Sequence, residues 1–287
     1  MPEMPEVESL AEFLTEKCVG HAIARVELAA FSALKTYEPP LSALSGLEIE
    51  SVTRHGKFLD ISAQGLHLVF HLARAGWLRW RDTLPQAPAR PGKGPLALRL
   101  HLDDGSGFEL TEAGTQRKLA IYVVTDPQQI PHVATLGPDP LSAEFDRELL
   151  AAMLRTAGRS QLKGVLKDQR TIAGIGNAYS DEILHAARLS PFKPANGLTE
   201  DELTTLYDAI KTELSEAIQR AHGLAAKDLK GEKKSGLRVH GRKGETCSVC
   251  GGTIAEVSFA DSALQYCPTC QTGGKLLADR RLSRLLK

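Results

Sequence analysis

Leu96-Ala97-Leu98-Arg99-Leu100-His101-Leu102 sets leucine at every second position and runs into Asp104-Gly105. A period of two marks a strand with one buried face, and an Asp-Gly pair is a turn signal. Similar short runs lie on either side, at residues 47–52, 58–61, 66–70 and 119–124, broken by His55-Gly56, Gly65 and Asp104-Gly105. Residues 21–126 therefore read as an antiparallel β-sandwich or flattened barrel. Residues 81–95, rich in Pro, Gly and Ala, read as a flexible loop within it.

Outside this block the period changes. Val7, Leu10, Ala11, Leu14 and Cys18 recur at helical spacing, which predicts one amphipathic helix over residues 5–19 with Gly20 closing it. Cys18 lies on its apolar face, where packing is the expected role. Beyond Pro140 the apolar residues again follow helical spacing, at 145–156, 162–168, 177–187 and 201–221. No internal repeat or low-complexity tract interrupts the chain. At 287 residues and 42% hydrophobic content it can bury two cores, with a domain boundary near residues 138–142.

Cys247-Ser248-Val249-Cys250 and Cys267-Pro268-Thr269-Cys270 form two C-x2-C knuckles separated by sixteen residues. That spacing suits four thiolates around one structural Zn2+, with a pair of disulfides or a redox pair as the alternatives. Strand-like runs at 254–259 and 263–266 flank Ala260-Asp261-Ser262, so the metal would sit on a β-hairpin too small to fold without it.

The first residues, Met1-Pro2-Glu3-Met4-Pro5-Glu6-Val7-Glu8, carry acid where a signal peptide carries base, and no apolar run reaches membrane-spanning length. A cytoplasmic protein without a membrane partner is expected. Formal net charge is zero. From Arg220 onward, however, thirteen basic residues face six acidic ones, an imbalance suited to a surface that meets phosphates or, alternatively, to a solvated face. With Met1 removed, Pro2 would be a secondary amine that is partly unprotonated at neutral pH and able to attack an electrophilic carbon; Glu3 would then be an acid or base beside it. Pro and Glu equally suit a first helical turn. In Thr171-Ile172-Ala173-Gly174-Ile175-Gly176-Asn177 the glycines would let backbone N–H groups approach a phosphate, with Asn177 as a further donor or a helix cap. Lys57, just past His55-Gly56, could reach out from the sheet as a cation or simply be solvated.

Four of these stretches, in this order, resemble the formamidopyrimidine-DNA glycosylase and endonuclease VIII family: Pro2-Glu3 with Pro5-Glu6-Val7-Glu8, Arg54-His55-Gly56-Lys57-Phe58-Leu59, residues 172–184, and the finger ending Tyr266-Cys267-Pro268-Thr269-Cys270-Gln271. The resemblance implies an α+β protein with an N-terminal β-sandwich catalytic domain (1–138), a helix-two-turns-helix DNA-binding domain (139–236), and a zinc finger with a tail (237–287). It implies a monomeric base-excision-repair enzyme, associated with the nucleoid, that clamps damaged double-stranded DNA. By the same resemblance Pro2 is the nucleophile at the sugar anomeric carbon of a flipped-out nucleotide and Glu3 protonates the ring oxygen. Lys57 serves as proton donor in β-elimination and as a phosphate contact, and Asn177 and Lys163 hold phosphate.

Relatives follow a His-Leu pair with a methionine that enters the gap left by the flipped base, whereas His71-Leu72-Ala73-Arg74-Ala75-Gly76 places Arg74 there. A guanidinium can stack on bases, bind phosphate or pair at the surface. The companion loop, residues 111–118 including Thr115, has no aromatic residue, and the finger arginine that serves δ-elimination in relatives aligns with Ser262, with Arg242 or Lys275 as substitutes. The segment corresponding to a lesion-covering loop, 223–236, reads as short and Lys-rich. These departures bear on lesion choice and δ-elimination more than on chemistry at Pro2. They leave a non-catalytic damage-binding protein, or an abasic-site lyase with little base excision, as alternatives.

Overall fold

In a computed structural model of the chain, the strand-like runs build two four-stranded antiparallel sheets from β1 (Ile23–Leu28), β2 (Ile49–His55), β3 (Phe58–Ala63), β4 (Leu66–His71), β5 (Gly76–Arg81), β6 (Leu96–Leu102), β7 (Gly107–Glu112) and β8 (Ala120–Val124). Their orders are β1-β6-β7-β5 and β2-β3-β4-β8. The structure describes residues 1–278 except 93, 115, 260 and 261. Thr115, the turn residues Ala260 and Asp261, and the terminal Arg280, Arg281, Arg284 and Lys287 thus lie outside the described residues. Two compact units result, 1–136 with 220–232, and 137–219 with 233 onward.

Strand β6 has the bounds its leucines predict. Leu98, Leu100 and Leu102 enter one core with Leu68, Phe70, Phe108, Leu110 and Ile121, joined by Val7, Leu10 and Leu14 of helix α1 (Met4–Cys18). Each such side chain stabilises the fold by about 1.5–3 kcal/mol. Cys18 is fully buried in that core, and burial, helped by the charge of Asp104, pushes its thiol up to about 12, which fits packing. The other face of β6 is closed as well, contrary to simple alternation. Arg99 donates to Glu109 on β7 at 2.7 and 3.0 Å and to the Ala87 carbonyl at 3.1 Å. Residues 82–92, 94 and 95 are irregular, as expected, but the segment is tied across the sheet by that bond, by Arg25 to the Gln86 carbonyl and by the buried Leu84.

Strands β1, β5 and β7 escape the sequence pattern. In β7 the reason is polar: Glu109 and Glu112 sit in a wholly buried strand because Arg99 neutralises the first, while the second accepts the N–H groups of Lys118 and Leu119. The expected loop over 223–236 is also partly helical. Its Leu229 is fully buried in the sandwich core, Trp77 donates to the Ala226 carbonyl at 3.0 Å, and the Lys230 ammonium lies 4.4 Å from the Trp77 ring centre.

The remaining helices are α2 (Pro131–Ala134), α3 (Arg147–Ala157), α4 (Leu162–Lys167), α5 (Asn177–Ala186), α6 (Glu200–Ala221), α7 (Leu229–Gly236) and α8 (Pro268–Thr272), and the finger hairpin is β9 (Ala255–Ser258) with β10 (Ala263–Tyr266). Helices α3 to α6 match the four predicted segments to within two residues, and Asp146 caps α3 by accepting from Leu149 N–H at 2.7 Å. Among the described residues no helix is long and apolar enough to cross a membrane.

Candidate active site and metal centre

Helix α1 starts at the Pro2-Glu3 stretch because Glu3 is the N-cap and Glu6, three residues on, reaches back to accept its N–H at 2.8 Å. Pro2 is buried, and Glu3 is 2% exposed at the positive end of the helix dipole. The β2–β3 turn lies alongside. His55 pairs with Phe58, so Gly56-Lys57 is a two-residue turn, and Gly56 takes φ +56°, the left-handed first position that a II′ turn reserves for glycine. Arg54 joins the two pieces: it is ion-paired with Glu8 of α1 and also lies 3.5 Å from the Gly56 carbonyl. Lys57 itself is only 7% exposed, so it is not the solvated lysine of the plainer reading.

Sequence reasoning overlooked His71, which packs against Phe58 at 4.7 Å between ring centres. Burial, reinforced by the charges of Lys57 and His132, lowers its pKa from 6.5 to about 4. The ring is neutral at pH 7, and its Nδ1 accepts the Ala73 N–H at 3.2 Å, which leaves the ring proton on Nε2. The signal was available, since His71 precedes the Leu72 used to align Arg74. In the unfolded chain the same histidine protonates near pH 6.5, so the unfolded state binds more protons between about pH 6.5 and 4, and stability falls as pH is lowered through that window. Urea titrations should show wild type losing at most about 2 kcal/mol between pH 7 and 5 through this group, and His71→Gln flattening that part of the slope.

Arg74 is exposed at the tip of a tight loop in which Ala73 adopts φ +51°. Gly76 closes the loop, where a Cβ would meet the Leu72 carbonyl oxygen at 2.1 Å. Among the described residues Arg74 has no hydrogen-bond or ion-pair partner.

In the helical unit, Gln169 stitches the turn before α5. Its amide donates to the Lys167 and Ile175 carbonyls at 2.9 and 2.7 Å, and its Oε1 accepts from Gly174 N–H at 3.0 Å. Gly176 is the N-cap, so Asn177 is the first helical residue rather than the cap, and its side-chain amide donates to the Ala263 carbonyl of β10 at 2.7 Å. Lys163 is 5% exposed, and its ammonium donates to the Asn177 carbonyl at 2.7 Å and to Asp181 at 2.6 Å. Asp181 also meets His240 Nδ1 at 2.7 Å, and Glu182 accepts the backbone N–H groups of Arg238, Val239 and His240 at 2.8–2.9 Å. One face of α5 thereby holds the approach to the finger. Replacing Asp181 by Leu strands the Lys163 ammonium, and thermal unfolding should report a loss of about 3–5 kcal/mol.

Arg242 is likewise engaged within the chain, with the Leu237 carbonyl at 2.5 Å and Glu245 at 2.9 Å, while Lys275 is exposed without an ion-pair partner among the described residues. Ser262 is exposed at the end of the hairpin turn, its carbonyl accepting Phe259 N–H.

The four sulfurs of Cys247, Cys250, Cys267 and Cys270 lie within 4.8 Å of one another. The Cys247–Cys270 and Cys250–Cys267 separations are 3.9 and 3.4 Å, near the roughly 3.8 Å edge of a tetrahedron with Zn–S of about 2.3 Å and far from a disulfide bond. The donor set fits one structural zinc.

Residues 1–120 match the formamidopyrimidine-DNA glycosylase N-terminal domain, 136–228 the H2TH domain of the same glycosylase, and 244–273 the zinc finger found in FPG and IleRS. A formamidopyrimidine-DNA glycosylase of Symbiobacterium thermophilum is 36% identical, covering 98% of this chain and 93% of its own length. An uncharacterized formamidopyrimidine-DNA glycosylase-like protein of Mycobacterium tuberculosis is 57% identical over 157 residues, 55% of this chain and 98% of its own. Among solved structures, Lactococcus lactis Fpg in complex with abasic-site DNA superposes with a TM-score of 0.82 at 29% identity, covering 94% of this chain and 99% of that one. MutM in complex with carbocyclic 8-oxo-G DNA gives a TM-score of 0.82 at 29% identity over 94% of this chain and 100% of its own.

Proposed function

Because the chain belongs to the formamidopyrimidine-DNA glycosylase family, we propose that it is a bifunctional DNA glycosylase and abasic-site lyase of base excision repair, acting on damaged double-stranded DNA. The observation that carries this reading is the junction at Arg54, which ties Glu8, in the second turn of the helix that begins at Pro2-Glu3, to the Gly56-Lys57 turn. With Met1 removed, the Pro2 nitrogen attacks the anomeric carbon of a flipped-out nucleotide and the base departs. Glu3 protonates the sugar ring oxygen as the ring opens to an iminium. That cation acidifies the neighbouring sugar proton, so its removal expels the 3′ phosphate by β-elimination. Flipping is required because the duplex shields the anomeric carbon.

Lys57 serves as proton donor and phosphate contact. Asn177 contacts phosphate, Lys163, which holds the Asn177 carbonyl, is the weaker candidate for the same phosphate, and Arg74 fills the gap of the flipped base. Arg242 is a DNA contact only if its bonds to Leu237 and Glu245 exchange. In this reading residues 1–138 carry catalysis, 139–236 bind DNA and 237–287 form the finger and tail, and the protein works as a monomer in the cytoplasm at the nucleoid. Incubation with duplexes bearing formamidopyrimidine, 8-oxoguanine, an oxidised pyrimidine or an abasic site tests it: nicking of at least one base lesion is expected. Nicking confined to abasic DNA would reduce the activity to a lyase, and salt-sensitive binding without any nicking would leave only damage recognition.

A further inference from the structure

Four thiolates around Zn2+ leave a centre with net charge of minus two, and here two of the sulfurs are deep inside, with Cys247 2% and Cys267 0% exposed. Buried anionic sulfur needs donors. Gly252 N–H supplies one to Cys250 at 3.4 Å. For Cys247 the nearby side chain is His185, on the last turn of α5 and 3% exposed, whose Nε2 lies 3.3 Å from the sulfur. Its other nitrogen, Nδ1, is buried with no hydrogen-bond partner among the described residues.

We propose that His185 is a positioning residue of the zinc centre, donating its Nε2–H to the Cys247 thiolate so that metal retention and the attachment of the finger to α5 are one property. The tautomer follows from the surroundings. A thiolate can only accept, so the proton belongs on Nε2. A proton on Nδ1 would be a buried donor without an acceptor, a cost of about 1–3 kcal/mol, and would turn the Nε2 lone pair toward an anion. His185 is not itself a ligand, because the four sulfurs already complete the tetrahedron. The other bonds from this face of α5, made by Asn177, Asp181 and Glu182, reach backbone or side chains of the finger and its approach. His185 is the member that reaches the metal's own donor set. Outer hydrogen bonds of this kind hold metal ligands in place and are worth roughly 10–100-fold in metal affinity.

The inference rests on zinc occupying the four thiolates, so zinc content of the full-length chain is measured first. One equivalent is expected, and none would remove both the metal assignment and this proposal. Release into 4-(2-pyridylazo)resorcinol is then followed for wild type, His185→Phe and His185→Gln. The phenylalanine variant should lose zinc about 10–100-fold faster. Glutamine, whose amide N–H can take the place of Nε2–H, should restore most of the retention. If phenylalanine holds zinc as well as wild type, or glutamine is as poor as phenylalanine, the proposal fails. Long-range 1H–15N spectra of the wild-type zinc form provide a test that needs no variant to fold: His185 should show a protonated Nε2 and a bare Nδ1, and the opposite tautomer would overturn the assignment.

Discussion

Glu3→Gln should lower base excision by about 10²–10⁴-fold, the usual contribution of a positioned acid or base, while cutting a preformed abasic site far less. The asymmetry follows from the role assigned to the carboxyl group. Protonating the ring oxygen assists departure of the base and opening of the sugar, and an abasic site has already passed the first of these. Glutamine keeps the size of the side chain, and the backbone N–H of residue 3 keeps its bond to Glu6, so the helix start survives. Single-turnover rates on a lesion duplex and on an abasic duplex measure the two steps separately. Equal losses on both substrates would assign Glu3 to the shared elimination step instead, and no loss on either would remove it from the chemistry.

Cys267→Ser should unfold the finger outright. The thiolate is fully buried, its knuckle begins α8, and its backbone N–H donates to Gln271 at 2.8 Å, so the metal and the local fold depend on the same residue. Structural zinc sites contribute on the order of 10–16 kcal/mol of metal binding, far more than the small cluster of Val239, Ile254 and the cysteines could replace. Zinc content should fall to zero, and binding to damaged duplex should weaken sharply and with a smaller salt dependence as the basic finger region detaches. The same change should leave the melting of the β-sandwich nearly unaltered. A variant that bound DNA normally without zinc would contradict the finger's assigned role.

Much of this organisation was legible in the chain because the deciding signals were local. Leucine alternation over Leu96–Leu102, the knuckle spacing and the helical periods all act through neighbours a few residues apart. The strands that escaped are those whose polar residues are neutralised from far away in sequence or by backbone: Glu109 by Arg99, Glu112 by the N–H groups of Lys118 and Leu119. Helix α7 was hidden by Gly231, Gly236 and its lysines, while what orders the segment is distant packing of Leu229 and Trp77. At the candidate site, residue types identified Pro2, Glu3 and Lys57 as chemically apt, but not the Arg54 junction beside them, nor the Asp181 carboxylate that meets the Lys163 ammonium. A lysine in a sequence does not show whether its counterion is a ligand or a carboxylate eighteen residues away.

The most direct test of the account is to locate the bond it requires. Protein with Met1 removed, mixed with abasic-site DNA and borohydride, should yield a covalent adduct whose tandem mass spectrum places the sugar remnant on the Pro2 nitrogen. An adduct mapped to a lysine, or full strand cleavage by chain that retains Met1, would contradict it.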